Sequence, residues 1–245
     1  MVNSIRALGL LGVMVLLAVA GWQGTAAQAQ DGSGTLSPPV ATFKGSEKTV
    51  LGPFDLHAGL VVVHGRSNGA GNFAVWLVRP APGEDVTQSY GDRYLLVDAV
   101  GRYQGAAAAL ADVDGTYYLE VSMASGAYEL TVEQPMPETV TPVDQRTFTG
   151  RAQQVTPVFS LPAGTYTINL DSGAYAVRVR FYRLDDLGGG AVVSDMTGYY
   201  GDELFDTTIP PGYTSVTVNL PDDGLYVLYV NAEGTGPLDW TVSVQ

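Results

Sequence analysis

The hexapeptide FDLHAG, residues 54–59, decides the fold, because the chain returns to it as FSLPAG at residues 159–164. Both copies place Phe, Leu, Ala and Gly at the same relative positions. Phe54 and Leu56 alternate with polar residues, as in a strand with one buried face. The Ala-Gly pair then predicts a tight turn, because Gly reaches positive φ without strain.

The sequence around the hexapeptide repeats in the same order. An F-x-G tripeptide precedes each copy, at Phe43 and Phe148. The other matched segments are NFAVWL 72–77 with AYAVRV 174–179, GRYQG 101–105 with GYYG 198–201, DGTYYLEV 114–121 with DGLYVLYV 223–230, and YELTV 128–132 with WTVSV 240–244. Several matches in register indicate an internal duplication.

Each repeat has the pattern of an all-β unit. Short segments alternate apolar and polar residues, and Gly, Pro, Asp and Asn separate them. GAAAALAD, 105–112, contains helix-forming residues but is short, and we interpret it as a strand or loop matched to FDTTI, 205–209. The predicted fold is all-β, with two tandem jelly-roll-like antiparallel β-sandwich domains.

The same reading predicts the boundaries along the chain. We expect a signal peptide at 1–29, a flexible segment at 30–42, a β-sandwich at 43–134, a proline-bearing linker at 135–147 and a second β-sandwich at 148–245.

The N-terminus has the features of an export signal. An apolar run begins at Ala7, and Ala27-Gln28-Ala29 fits the A-x-A pattern of a cleavage site. A retained membrane anchor is the alternative, but the run is shorter than the roughly 20 residues a spanning helix needs. We therefore expect a secreted protein, extracellular or periplasmic, with no membrane span in the mature chain.

These motifs together resemble the bacterial pre-peptidase C-terminal domains and related small jelly-roll modules of exported bacterial proteins. The resemblance covers about 43–134 and, more weakly, 148–245. Members of that family are usually appendages of secreted peptidases or surface proteins, which implies a role in targeting, binding or secretion. The resemblance covers no peptidase sequence within these 245 residues, so no catalytic residue carries over.

Composition excludes several classes of partner and chemistry. The formal net charge is −13, which repels a phosphate backbone and an anionic membrane surface, so we expect no nucleic-acid partner. The chain has no cysteine, which excludes disulfides, thiolate metal sites and cysteine nucleophiles.

Few residues suggest catalysis or metal binding. His57 and His64 are predicted to face solvent, and no triad motif surrounds them, so we predict a protein that is not an enzyme. DVDG, 112–115, makes Asp112 and Asp114 weak calcium candidates, but D-G before a strand is also an ordinary hairpin turn. We expect no cofactor.

The predicted function is that of an exported, non-catalytic binding or structural module at or outside the cell surface. One alternative is a carbohydrate-binding protein, with Trp76 or outward tyrosines stacking on sugar rings. Another is a self-assembling subunit of an extracellular layer or fibre, with segment 30–42 paired to a neighbour's edge strand. A protein or polysaccharide partner and a homo-oligomer are therefore both candidates.

The repeat also predicts a contact surface. The outward row of the first D-G strand includes Tyr118 and is polar, whereas the matching row of the second is apolar. That second row consists of Leu225, Val227 and Tyr229. A monomer rarely leaves such a row bare, so we expect it to meet the other unit, a second subunit, a ligand or a loop of its own unit.

Overall fold

The structure is a computed structural model that describes residues 36–87, 91–173, 177–184, 203–209, 213–232 and 239–245, with the backbone alone for 203–209 and for 213–214. The predicted signal peptide and the GYYG segment at 198–201 lie outside these residues. All regular structure in the described residues is β, as the sequence predicts. None of it is an apolar helix of membrane-spanning length.

The first unit is a pair of four-stranded antiparallel sheets. Its strands are β1 (Pro39–Gly45), β2 (Thr49–Leu56), β3 (Gly59–Ser67), β4 (Asn72–Arg79), β5 (Asp92–Val100), β6 (Tyr103–Ala111), β7 (Gly115–Met123) and β8 (Tyr128–Glu133). Sheet A has the order β1-β8-β3-β6, and sheet B has the order β2-β7-β4-β5. This is the strand order of a jelly roll. Strands β1 to β4 alternate between the two sheets, and so do strands β5 to β8.

The second unit repeats that order. Its strands are β9 (Thr147–Arg151), β10 (Gln153–Val155), β11 (Phe159–Leu161), β12 (Gly164–Asp171), β13 (Val177–Arg183), β14 (Glu203–Ile209), β15 (Tyr213–Leu220), β16 (Gly224–Ala232) and β17 (Asp239–Val244). Sheet C joins β10 and β11 to β16, followed by β13 and β14, and sheet D has the order β15-β12-β17-β9. With β10 and β11 counted as one broken strand, both units have the same topology.

The topology corrects one part of the sequence alignment. GAAAALA lies in β6, the sixth strand of the first unit, and its topological counterpart is β15. FDTTI, 205–209, lies instead in β14, the counterpart of β5. The sequence match failed here because β6 and β15 share a position in the sheet but little residue identity.

The recurrent hexapeptide closes a hydrogen bond that is the same in both units. The backbone N–H of Ala58 donates to the carboxylate of Asp114 at 2.7 Å. The N–H of Ala163 donates to that of Asp223, also at 2.7 Å. Gly59 has φ 128°, which favours glycine at the turn. The A-G and D-G dipeptides therefore recur together because one aspartate clamps the turn that enters the third strand.

The F-x-G tripeptide recurs because its glycine makes room for an aromatic ring. Gly45 is paired with Tyr128, and Gly150 is paired with Trp240. A Cβ at either glycine would overlap the ring of the partner. Trp240 is only 4% exposed, so its ring has little space to move away.

The predicted linker and leader are partly ordered. Residues 39–42, at the end of the predicted flexible segment, belong to β1 and pair with β8 of the same chain. Within the predicted linker, Val143 forms a parallel bridge with Phe159 and its N–H donates to Val158 at 2.8 Å. Val140 packs against the core of the first unit and Val143 against that of the second. The domain boundaries themselves stay predictions.

We predict that Gly150→Ala destabilises the protein by about 1–3 kcal/mol, the usual cost of overpacking a core. The added methyl group would collide with the buried ring of Trp240. Urea denaturation measures the free energy of unfolding. Gly115→Ala is the matched control, because its Cβ would meet no atom closer than 3.7 Å. Equal effects of the two substitutions would contradict this explanation of the tripeptide.

Candidate functional site

The apolar row of β16 lies against the first unit. Val227 is 0% and Tyr229 is 5% exposed, and both belong to the same buried cluster as the core of the first unit. Leu225 is partly buried and packs against that cluster. Of the four occupants considered from the sequence, the structure places the other unit on this row.

A buried glutamine joins the two units by hydrogen bonds. Gln153, on β10 of the second unit, accepts a bond from the Tyr103 hydroxyl at 2.7 Å and donates to the Leu96 carbonyl at 2.6 Å, both in the first unit. It also bonds to the hydroxyl of Tyr229. Burial raises the pKa of Tyr103 well above its ordinary value. The three side chains are buried, so their polar groups rely on one another for hydrogen bonds.

Small residues on β6 allow the units to approach. Gly105 has no side chain, and a Cβ there would overlap the backbone carbonyl oxygen of Gln153. Ala106 and Ala108, which follow along the strand, are 0% and 4% exposed. The alanine-rich segment that resembled a helix is thus a strand whose small side chains permit a close contact.

We predict that Gln153→Ala lowers the free energy of unfolding by about 1–3 kcal/mol, because Tyr103 and the Leu96 carbonyl lose their partner in a buried place. Thermal and urea unfolding measure the change. Gln145→Ala is the control, because Gln145 is exposed and should change stability by less than about 0.5 kcal/mol. A Gln153 variant as stable as the control would show that the hydrogen bonds between the units do not contribute to the free energy of unfolding.

Trp76 lies on the outer face of sheet B and is partly exposed. Its indole N–H donates to the Ser122 hydroxyl at 3.2 Å. The guanidinium of Arg93 stands 5.3 Å from the ring centroid, a cation–π contact. Leu95, opposite Trp76 on β5, is 48% exposed. These contacts fix an aromatic ring beside an exposed aliphatic side chain.

Tyr118 lies on the same outer face, one strand away on β7, and is partly buried. It packs near Gly52, where a Cβ would come within 3.1 Å of its ring. Glu120, two residues along, forms an ion pair with Arg93. The sheet B face, as we call Trp76, Leu95, Tyr118 and the Arg93–Glu120 pair, therefore combines apolar rings with a charged pair.

The two weak calcium candidates hold structural bonds. Asp112 accepts a hydrogen bond from the Tyr94 hydroxyl. Asp114 clamps Ala58 and lies 3.5 Å from the Nδ1 of His57, whose side chain is 72% exposed. In the part of the chain that the structure describes, no three His, Asp or Glu side chains gather closely enough to hold a metal.

The Asp114 clamp predicts a pH dependence. The Ala58 N–H and then His57 hold the pKa of Asp114 below its ordinary value of 3.8. A depressed folded-state pKa contributes stability that is present above the unfolded value and is lost as the pH falls through the folded value. The stability difference between wild type and Asp114→Ala should be present at about pH 5, and should shrink as the pH falls below 3.8. A difference unchanged to pH 2 in urea titrations would contradict the clamp.

His64 does not face open solvent, contrary to the sequence prediction. Its side chain is 19% exposed, and its Nε2 lies 3.3 Å from a carboxylate oxygen of Glu133. The Glu133 side chain is 2% exposed and accepts hydrogen bonds from the backbone N–H groups of Leu36 at 2.8 Å and Ser37 at 3.3 Å. His64 does point away from the core, but the carboxylate of Glu133 lies beside its ring.

His64 lies in a groove of about 290 Å³ on the outer face of sheet A. We call it the sheet A groove, and its lining is His64, Gly65, Arg66, Gln104, Gly105, Glu129, Thr131 and Glu133. Arg66 donates to Glu129 at 3.1 Å through Nε, and Lys44 lies 3.5 Å from the same carboxylate. The hydrogen bond from Arg66 is the main reason that the pKa of Glu129 is lowered. Nothing in the sequence marked this groove, because its residues come from strands distant along the chain.

Comparisons with protein families and with curated proteins find no match. The pre-peptidase resemblance therefore gains no support. Solved structures give distant likenesses. The N-terminal tandem CBM22 domains of Xyn10C from Paenibacillus barcinonensis share 8% identity at a TM-score of 0.28, over 87% of this chain and 99% of theirs.

Two further structures belong to proteins described as exported or secreted. The PBSX exported protein XepA is 11% identical at a TM-score of 0.26, over 86% of this chain and 87% of its own. A protein of Parabacteroides distasonis described as secreted is 8% identical at a TM-score of 0.22, over 85% of this chain and 91% of its own. TM-scores this low carry no argument about function. Any functional proposal must therefore rest on the surfaces of this chain.

Proposed function

We propose that this chain is an exported, non-catalytic binding module that acts at or outside the cell surface. The observation that carries the proposal is the sheet B face. Trp76 is held by Ser122 and Arg93, and it lies next to Leu95, which is 48% exposed. An aromatic side chain fixed before binding loses little conformational entropy when a ligand covers it.

The contact between the units supports the same role. A shared buried cluster and the Gln153 bonds hold two jelly rolls together. A binding surface on one unit therefore stands on a scaffold stabilised by both. The A-x-A pattern near residue 29 agrees with an exported protein.

Carbohydrate is the ligand class that this face favours. A sugar ring presents apolar C–H groups on its face and hydroxyls at its edge. Trp76 and Tyr118 offer rings for the first, and the Arg93–Glu120 pair offers hydrogen-bonding groups for the second. The Arg93 guanidinium already covers part of one Trp76 face, so a sugar would meet the exposed part of the ring beside Leu95.

Binding of the purified protein to insoluble cellulose, chitin and xylan tests the proposal in sedimentation assays. We expect retention on at least one of them. Trp76→Ala should weaken that retention roughly tenfold, because a stacking aromatic ring is lost.

Val100→Ala is the matched control. It removes a side chain that is 80% exposed from β5, the strand that carries Leu95, at a position outside the sheet B face. Equal binding by the two variants would exclude the sheet B face as the site. If the wild-type protein were retained on none of the polymers, carbohydrate binding by this face would be rejected. A light-scattering mass that grows with concentration would then favour the self-assembling subunit.

A further inference from the structure

The sheet A groove lies on the opposite side of the first unit from the sheet B face, because the two faces belong to the two sheets of one sandwich. Three neighbouring strands contribute to it. His64 is directly opposite Thr131, and Arg66 is directly opposite both Glu129 and Gln104. The groove therefore presents two adjacent rows of polar side chains on one surface.

One atom of the groove lacks a partner. The Nε2 of His64 is buried and makes no hydrogen bond within the described residues, although Glu133 lies 3.3 Å away. A buried nitrogen without a hydrogen bond is costly, and such a group calls for an explanation. A ligand hydroxyl that reaches the groove would supply the missing bond.

The carboxylate next to it is fixed in place. Glu133 is 2% exposed and accepts two backbone N–H groups from residues 36 and 37. These bonds compensate its charge and hold its oxygens in one position. A ligand would meet an acceptor that is already oriented and does not need to be ordered on binding.

The charges of the groove are paired with one another. Glu129 lies between Arg66 and Lys44, and Glu133 is satisfied by backbone amides. Both carboxylates of the groove are therefore compensated within the protein, Glu129 by two cations and Glu133 by backbone amides. Its remaining groups, which include the His64 imidazole and the Thr131 hydroxyl, form hydrogen bonds with neutral molecules.

We propose that the sheet A groove is a second binding site, independent of the sheet B face, for a neutral polyhydroxylated ligand such as a sugar residue. Its volume of about 290 Å³ suits a short ligand, since small-molecule pockets begin at about 300 Å³. Hydroxyl groups of such a ligand donate to Glu133 and Thr131 and bond to the His64 Nε2.

The chain offers a built-in reporter for this site, because it has two histidines and His57 lies away from the groove. Imidazole signals in ¹H–¹⁵N spectra of the full protein follow both residues. The probes are cellotetraose, xylotetraose, mannotetraose and chitotetraose, each to about 10 mM, which detects dissociation constants in the millimolar range. We expect at least one probe to shift the His64 signal and leave that of His57 in place.

Thr131→Val tests the site and Thr42→Val is its matched control. The two hydroxyls lie 3.5 Å apart on neighbouring strands, but Thr131 alone lines the groove. Thr131→Val should weaken the affinity for the effective probe about tenfold, the upper end of what the loss of one hydrogen bond costs. Thr42→Val and Trp76→Ala should change the affinity by less than about twofold.

The dispersion of the backbone amide signals in the same spectra reports whether each variant is folded. The proposal is overturned if none of the four sugars moves His64 selectively, or if Thr131→Val binds as well as wild type. A His64 shift caused by acetate or spermidine and by none of the sugars would also overturn it, because the ligand would then be ionic. Since Trp76 is not part of the groove, failure here leaves the sheet B proposal standing, and the reverse also holds.

Discussion

The structure depends on a run of small residues in the middle of one strand, β6. Because β6 carries Gly105 and then four alanines, the backbone of β10 can lie directly against it. That approach buries the apolar row of β16 and brings Gln153 to Tyr103 and the Leu96 carbonyl. Larger side chains on β6 would hold the two units apart and expose the same row to water.

The contact between the units is asymmetric, because the two copies differ in their second strand. Both units share one jelly-roll topology, but the second breaks its second strand into β10 and β11. Between them, the Thr156 hydroxyl accepts the N–H of Leu228 at 2.9 Å and so continues the ladder through a side chain. The first unit has a milder irregularity at the same place, where the pairing of β2 with β7 shifts between Leu51 and Phe54. The break leaves β10 where it can reach β6.

Much of the fold could be predicted from the sequence, because its signals are local. The alternation in β4 and β7, the repeated F-x-G tripeptide and the repeated D-G dipeptide each reflect a short-range constraint, and the structure explains each of them. The identity of β6 was harder, because the contact that selects its small residues is between units. His64 was misjudged for a related reason. Alternation shows which face a residue occupies but not what lies on that face, and here Glu133 lies 3.3 Å from the Nε2 of His64.

The candidate sites differ in the same way. Trp76 was predictable as an outward aromatic, but its contacts with Ser122 and Arg93 were not. The sheet A groove could not be predicted, because it joins β3, β6 and β8, and register is a property of the folded sheet. The first unit therefore presents two surfaces of different chemistry, one around a partly exposed aromatic ring and one around a buried carboxylate.

Differential scanning calorimetry of the whole chain tests the central claim, that one buried cluster joins both jelly rolls, most directly. The account predicts a single transition with a calorimetric enthalpy equal to its van't Hoff enthalpy, because neither unit can expose the shared cluster without destabilising the other. Two resolved transitions, each with the enthalpy of one unit, would contradict it.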